Sequence, residues 1–133
     1  MTDRLNDYQR TAILSASPAQ LLTMLYDRLL LDLDRAEQAQ LAEQWAEASA
    51  QLLHAQDIVS ELQRTLDVRV WDGASRLMAI YDYVYQSLVR ANISRNVSLT
   101  RECQARLEPL RQAWHEAAAM PVAAPVGGIA RVG

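Results

Sequence analysis

The sequence predicts an all-α protein, an antiparallel up-down four-helix bundle preceded by a short N-terminal arm or helix. Three observations predict it. The chain is rich in Ala, Leu, Gln, Arg and Glu, all good helix formers. Its prolines stand only at positions 18, 109, 121 and 125 and its four glycines at 73, 127, 128 and 133, so long stretches carry no breaker. Apolar residues then recur at steps of three and four through four segments joined by short breaks, the pattern of helices packed on antiparallel neighbours. At 133 residues the chain is one domain with a single core.

The first 16 residues read as a mixed polar and apolar arm, with Leu5, Tyr8, Ala12 and Ile13 able to form one stripe of a short helix. The first bundle helix starts sharply. Ser17 suits the cap, Pro18 the first helical position, and Gln20 stands three residues after the cap, which is a capping box with proline at N1. This helix is expected to run from Pro18 to Leu41. Leu22, Leu25, Leu29, Leu33 and Ala36 make its core face, widened by Tyr26 and Leu30. Leu21, Met24 and Leu31 fall on the other side. The helix therefore carries more apolar surface than one buried face needs, and such a surplus points to a partner.

The second helix is expected over Glu43–Leu66, where Trp45, Ala48, Leu52, Ala55, Val59, Leu62 and Leu66 form a seam without a miss and Ile58 lies beside it. A short loop, Asp67 to Asp72, contains Trp71. The third helix is expected over Gly73–Ala91, with Ala74, Leu77, Met78, Tyr81, Val84, Tyr85 and Leu88 inward and Ile80 and Tyr83 off that face. The fourth starts near Asn96 or Ser98, both competent caps, with Leu99, Cys103, Leu107, Leu110 and Trp114 on one side. Pro109 falls inside it and predicts a kink or a division into two pieces. From residue 120 the Ala/Pro/Val/Gly composition predicts a disordered tail over 120–133, leaving 17–119 as the bundle.

Composition excludes several functions. The net charge is −3, no basic stripe exists, and nucleic-acid binding has no support. All 13 cations are arginine, a compositional bias rather than a site. The N-terminus lacks a signal-peptide layout, no run approaches a membrane span, and the lone Cys103 cannot form an internal disulfide, so the chain reads as soluble and cytoplasmic with no membrane insertion. No catalytic or metal site is expected. A di-iron bundle needs Glu three residues before His, whereas Gln51 precedes His54 and Gln112 precedes His115. Cys103 lies on the inner stripe and reads as a small apolar core residue. Asp27, Asp32, Asp34, Asp57, Asp67, Asp72 and Asp82 are scattered and read as solvated, capping or ion-paired. The chain does not read as an enzyme, and no cofactor is implied.

Four fragments carry a resemblance. Ala16-Ser17-Pro18 leads to Leu21-Leu22 and Met24-Leu25-Tyr26-Asp27; Ala55-Gln56-Asp57-Ile58-Val59 leads through Glu61-Leu62 to Thr65-Leu66-Asp67; Leu77 precedes Ile80-Tyr81-Asp82-Tyr83, with Leu88 and Ala91-Asn92 downstream; and Leu110-Arg111 precedes Ala113-Trp114. In this order, over residues 8 to about 116, they resemble the flagellar export chaperone FliS family. The resemblance implies a cytoplasmic bundle that binds the disordered C-terminal segment of flagellin, blocks premature polymerisation and delivers flagellin to the flagellar type III export gate. A ligand that folds on binding covers much surface at modest net affinity, which suits later release.

The resemblance also implies a role for the arm, with Tyr8 and its apolar companion Leu5 expected in export-gate recognition. Ile13, Leu21, Met24, Tyr26, Ile58, Leu62, Tyr83 and Leu88 are the expected flagellin-binding residues, on a monomer that binds flagellin one to one. The competing expectation is a structural bundle that self-associates as a homodimer through the apolar face of the first helix. Three features depart from the family pattern. One glycine, Gly73, stands where the family often has two; Pro109 interrupts the last helix; and the tail has no counterpart.

Overall fold

The computed structural model describes residues 17–69 and 72–120. Expectations for Leu5, Tyr8, Ile13, Trp71 and the tail beyond Met120 fall outside the described residues. Four helices follow one another, α1 (Pro18–Leu41), α2 (Trp45–Thr65), α3 (Gly73–Ile93) and α4 (Val97–Ala119). Each packs on its neighbours in the chain and α4 closes back on α1, an up-down bundle.

The predicted start of α1 is realised. Ser17 Oγ accepts from the Gln20 N–H at 3.1 Å, and the Ser17 N–H donates to Gln20 Oε1 at 2.8 Å, with Pro18 at the first helical position. Asn96 rather than Ser98 caps α4, accepting from the Ser98 N–H at 2.9 Å. The two corners at the opposite pole share one geometry. After α1, Glu43 takes a left-handed conformation while Gln44 N–H donates to Ala39 O at 2.8 Å. After α3, Arg95 does the same while Asn96 N–H donates to Ala91 O at 3.0 Å. Both are Schellman closures built without the usual glycine. At the second, the Arg95 guanidinium sits 4.9 Å from the Trp45 ring centroid, tying the two corners together.

Pro109 does not divide α4, which runs unbroken from Val97 to Ala119. Pro109 and Ala105 are both exposed, so the Ala105 carbonyl, which loses its helical donor, can turn to water. The cost of the proline is thereby met on the surface rather than in the core.

The core is the one the seams predict. Tyr26, Leu29, Leu33 and Ala36 of α1 meet Leu52, Ala55, Val59 and Leu62 of α2, Leu77, Val84, Leu88 and Ala91 of α3, and Cys103 and Leu107 of α4. Three buried polar groups of α1 fix how the others sit. The Tyr26 hydroxyl meets the Tyr81 hydroxyl at 2.7 Å, across to α3. Gln40 donates to Ala91 O at 3.4 Å and accepts from the Thr100 hydroxyl at 2.7 Å, joining α1 to α3 and α4. Asp32, with a fully buried side chain, accepts from Arg28 Nε at 2.9 Å and pairs with His54 Nδ1 of α2. An unpaired carboxylate there would be strongly unfavourable, so the pairing specifies where α2 lies.

Removing one hydroxyl of the tyrosine pair strands the other in the core. Tyr26→Phe or Tyr81→Phe should each cost about 1–3 kcal/mol in urea unfolding, and the double variant clearly less than the sum, because no orphan group then remains. Strictly additive losses would show that the hydroxyls do not depend on each other.

Candidate functional site

A binding surface can draw only on residues that the core does not consume. Of the expected binding residues, Tyr26, Leu62 and Leu88 are enclosed in the core and Ile58 is nearly so. Their first task in this state is packing, and a partner reaches them only by opening a seam. Helical spacing could not separate them from surface positions, because core and groove walls share one periodicity. Leu21 is half-buried. Met24 (39% exposed) and Tyr83 (39%) are available. Arg106 of α4 lies over the Tyr83 ring, 4.5 Å from its centroid, and shields one face of it.

Other exposed apolar residues join them. Leu31 (40%) shares the outer side of α1 with Met24, seven residues on, while Leu53 (51%) stands on the outer side of α2. Leu53 is exposed although periodicity did not single it out; its signal is a leucine directly following the seam residue Leu52, hence turned away from the core. Leu41 and Ile93 are exposed at the corner pole. The exposed apolar side chains thus stand on α1, α2 and α3, with Val68 and Met120 exposed just beyond the ends of α2 and α4.

Two depressions adjoin these positions. At the pole where α1 begins, Leu22, Leu62, Leu66, Leu77, Tyr81 and Trp114 line an apolar cavity of about 230 Å³ with Thr65. Trp114 packs on Tyr26, with ring centroids 6.4 Å apart. Its indole N–H is buried without a hydrogen-bond acceptor among the described residues. Burial pushes the phenols of both Tyr26 and Tyr81 above their ordinary range, so both stay neutral and one donates to the other. Along the α1–α4 seam an open groove of about 570 Å³ is lined by Asp27, Leu30, Leu31, Asp34, Gln104, Ala105, Glu108 and Arg111.

No arrangement for catalysis emerges among the described residues, where no group of three or more His, Cys, Asp or Glu side chains could hold a metal ion. Each histidine instead pairs with an aspartate of α1. His54 meets Asp32, and His115 Nε2 meets Asp27 at 2.7 Å, where Arg111 also binds at 3.0 Å. These partners lie 22 and 88 residues apart in sequence, so linear spacing could not reveal them. Asp32, expected among solvated or ion-paired carboxylates, is ion-paired but fully enclosed. Among the described residues, no helix is long and apolar enough to cross a membrane.

Cys103 is a core residue, as its stripe predicts. It is fully buried against Val84 O, and burial pushes its thiol up to about 12. Stability linked to this neutral thiol is complete below the unfolded value near pH ~8.5 and is lost as pH rises toward 12. Native protein at pH 8 should therefore resist thiol-specific labelling and react stoichiometrically once unfolded in urea. Rapid labelling of the native protein would show Cys103 to be accessible.

Comparison with known proteins adds a relationship to this geometry. The family model described as "Flagellar protein FliS" matches residues 1–121. The flagellar secretion chaperone FliS of Bacillus subtilis (strain 168) is 34% identical over 110 residues, 83% of this chain and 82% of that protein. The flagellar secretion chaperone FliS of Escherichia coli (strain K12) is 32% identical over 113 residues, 84% and 83% respectively. A crystal structure of a bacterial flagellar chaperone superposes with a TM-score of 0.71 at 18% identity, covering 86% of this chain and 97% of that one, which bears on the fold alone.

Proposed function

Because the chain belongs to the FliS family of flagellar secretion chaperones, we propose that it binds the C-terminal segment of flagellin in the bacterial cytoplasm, keeps it from polymerising, and presents it to the flagellar export gate. The family is one of chaperones, not enzymes. One observation supports this mode most directly. The exposed apolar positions, Met24 and Leu31 on α1, Leu53 on α2 and Tyr83 on α3, stand on three different helices. A folded partner presents one face and covers one patch. A disordered segment can pass from helix to helix and satisfy separate apolar positions in turn.

The mode also accounts for the balance of the surface. Each exposed side chain is only partly free, so each contributes modestly, and the sum gives binding that can be undone at the export gate. Leu21 would join the binding surface at its edge, and the enclosed Tyr26, Ile58, Leu62 and Leu88 would support that surface from beneath. Ile13 would add to the binding surface, while Leu5 and Tyr8 of the arm are proposed to meet the export gate. The stoichiometry proposed is one chain to one flagellin.

Capture of full-length flagellin and of flagellin lacking its C-terminal segment on immobilised chain tests the mode. Only the full-length form should be retained, and equal retention of both would overturn it. In titrations with the full-length form, Met24→Ser, Leu53→Ser and Tyr83→Ser should each weaken binding by about three- to tenfold, the effect of losing about 1 kcal/mol of apolar contact.

A further inference from the structure

We propose that the open groove between α1 and α4 docks a basic amphipathic helix of a partner protein, with apolar side chains inward and Lys or Arg flanking them. The groove shares Leu31 with the surface proposed for flagellin, so the two occupants would compete there, while the basic-helix preference rests on the groove's own carboxylates. Ion pairs bridge α1 and α4 on either side of the groove. Glu37 and Arg101 close one end at 2.7 Å, and Asp27 joins Arg111 at 3.0 Å and His115 at the other. Between them α4 presents the single methyl of Ala105 opposite Leu30 and Leu31, and the missing side-chain volume leaves about 570 Å³.

The floor is apolar and Leu31 is 40% exposed, so an occupant gains by covering it. The walls say which occupant. Three carboxylates, Asp27, Asp34 and Glu108, face one guanidinium, Arg111. That guanidinium is already engaged by Asp27 and by Glu108 at 3.3 Å. Asp34 makes no ion pair within 4 Å among the described residues. An acidic segment would be repelled. A second copy of this chain using the same face would bring its own Asp27 and Asp34 against these carboxylates, which disfavours the homodimer through α1. A basic helix meets both demands: its aliphatic stems lie on Leu31 and Ala105 while its charged heads reach Asp34 and Glu108.

The test uses two synthetic helical peptides, one of Leu, Lys and Arg and one with every cation replaced by Glu, titrated into the full chain and followed by amide NMR. The basic peptide should shift Leu30, Leu31, Asp34, Ala105 and Glu108, and the acidic one should not bind. The double variant Asp34→Lys, Glu108→Lys should weaken binding at least about tenfold, and Ala105→Phe, which fills the groove, should do the same. All three positions are exposed, and circular dichroism checks that the fold persists. Asp57→Lys, an exposed change on α2, should leave affinity within about twofold. Equal binding of the acidic peptide, shifts elsewhere on the bundle, or an equal loss in Asp57→Lys would overturn the proposal, the last by showing only diffuse attraction to an acidic protein.

Discussion

The bundle depends on α1 having to satisfy polar groups that it carries into the core. Apolar seams alone would let four helices slide or exchange neighbours at little cost, since leucine packs on leucine in many registers. Tyr26, Asp32 and Gln40 remove that freedom. Each is enclosed, each must find a specific partner, and the partners lie on different helices: Tyr81 on α3, His54 on α2, and Ala91 with Thr100 on α3 and α4. An error in register would leave a hydroxyl, an amide or a carboxylate unpaired in a low dielectric, at a cost of the same order as the whole stability of a small domain if two were lost together. The polar contacts therefore supply specificity, while burial of the seams supplies the driving force.

The same helix leaves residues to spare. Because its core face already uses Leu29, Leu33 and Ala36, the apolar Met24 and Leu31 stay outside, where a partner can use them. Rigid placement matters for the proposed role. A chaperone that must hold a disordered segment and later release it benefits from a scaffold that does not reorganise, so that the ordering cost falls on the ligand. The paired Schellman corners, with Arg95 over Trp45, hold one pole in the same spirit.

Much of this fold was legible in the sequence, for reasons that can be named. The start of α1 could be read because a capping box is a local device whose partners are three residues apart. The α2 seam could be read because steps of three and four have a single structural meaning in a breaker-free segment. At Pro109 the sequence shows the loss of a hydrogen bond but not that Ala105 and Pro109 are exposed, so it could not decide between a kinked helix and one divided in two. The candidate surface was less legible. Tyr26, Ile58, Leu62 and Leu88 have the spacing of a groove wall, yet the structure encloses them, and only the packing of neighbouring helices distinguishes the two cases. The histidine–aspartate pairs were invisible because contact between α1 and α2 or α4 is a tertiary fact.

In the proposed mode a partner segment follows apolar positions on several helices of a bundle that stays intact. Hydrogen exchange of the chain, alone and saturated with flagellin's C-terminal segment, tests it most directly. New protection is expected in separate stretches of α1, α2 and α3 that include Met24, Leu53 and Tyr83, with core amides around Leu29 and Val84 as slow as before. Protection confined to a single patch, or faster exchange of those core amides on binding, would contradict it.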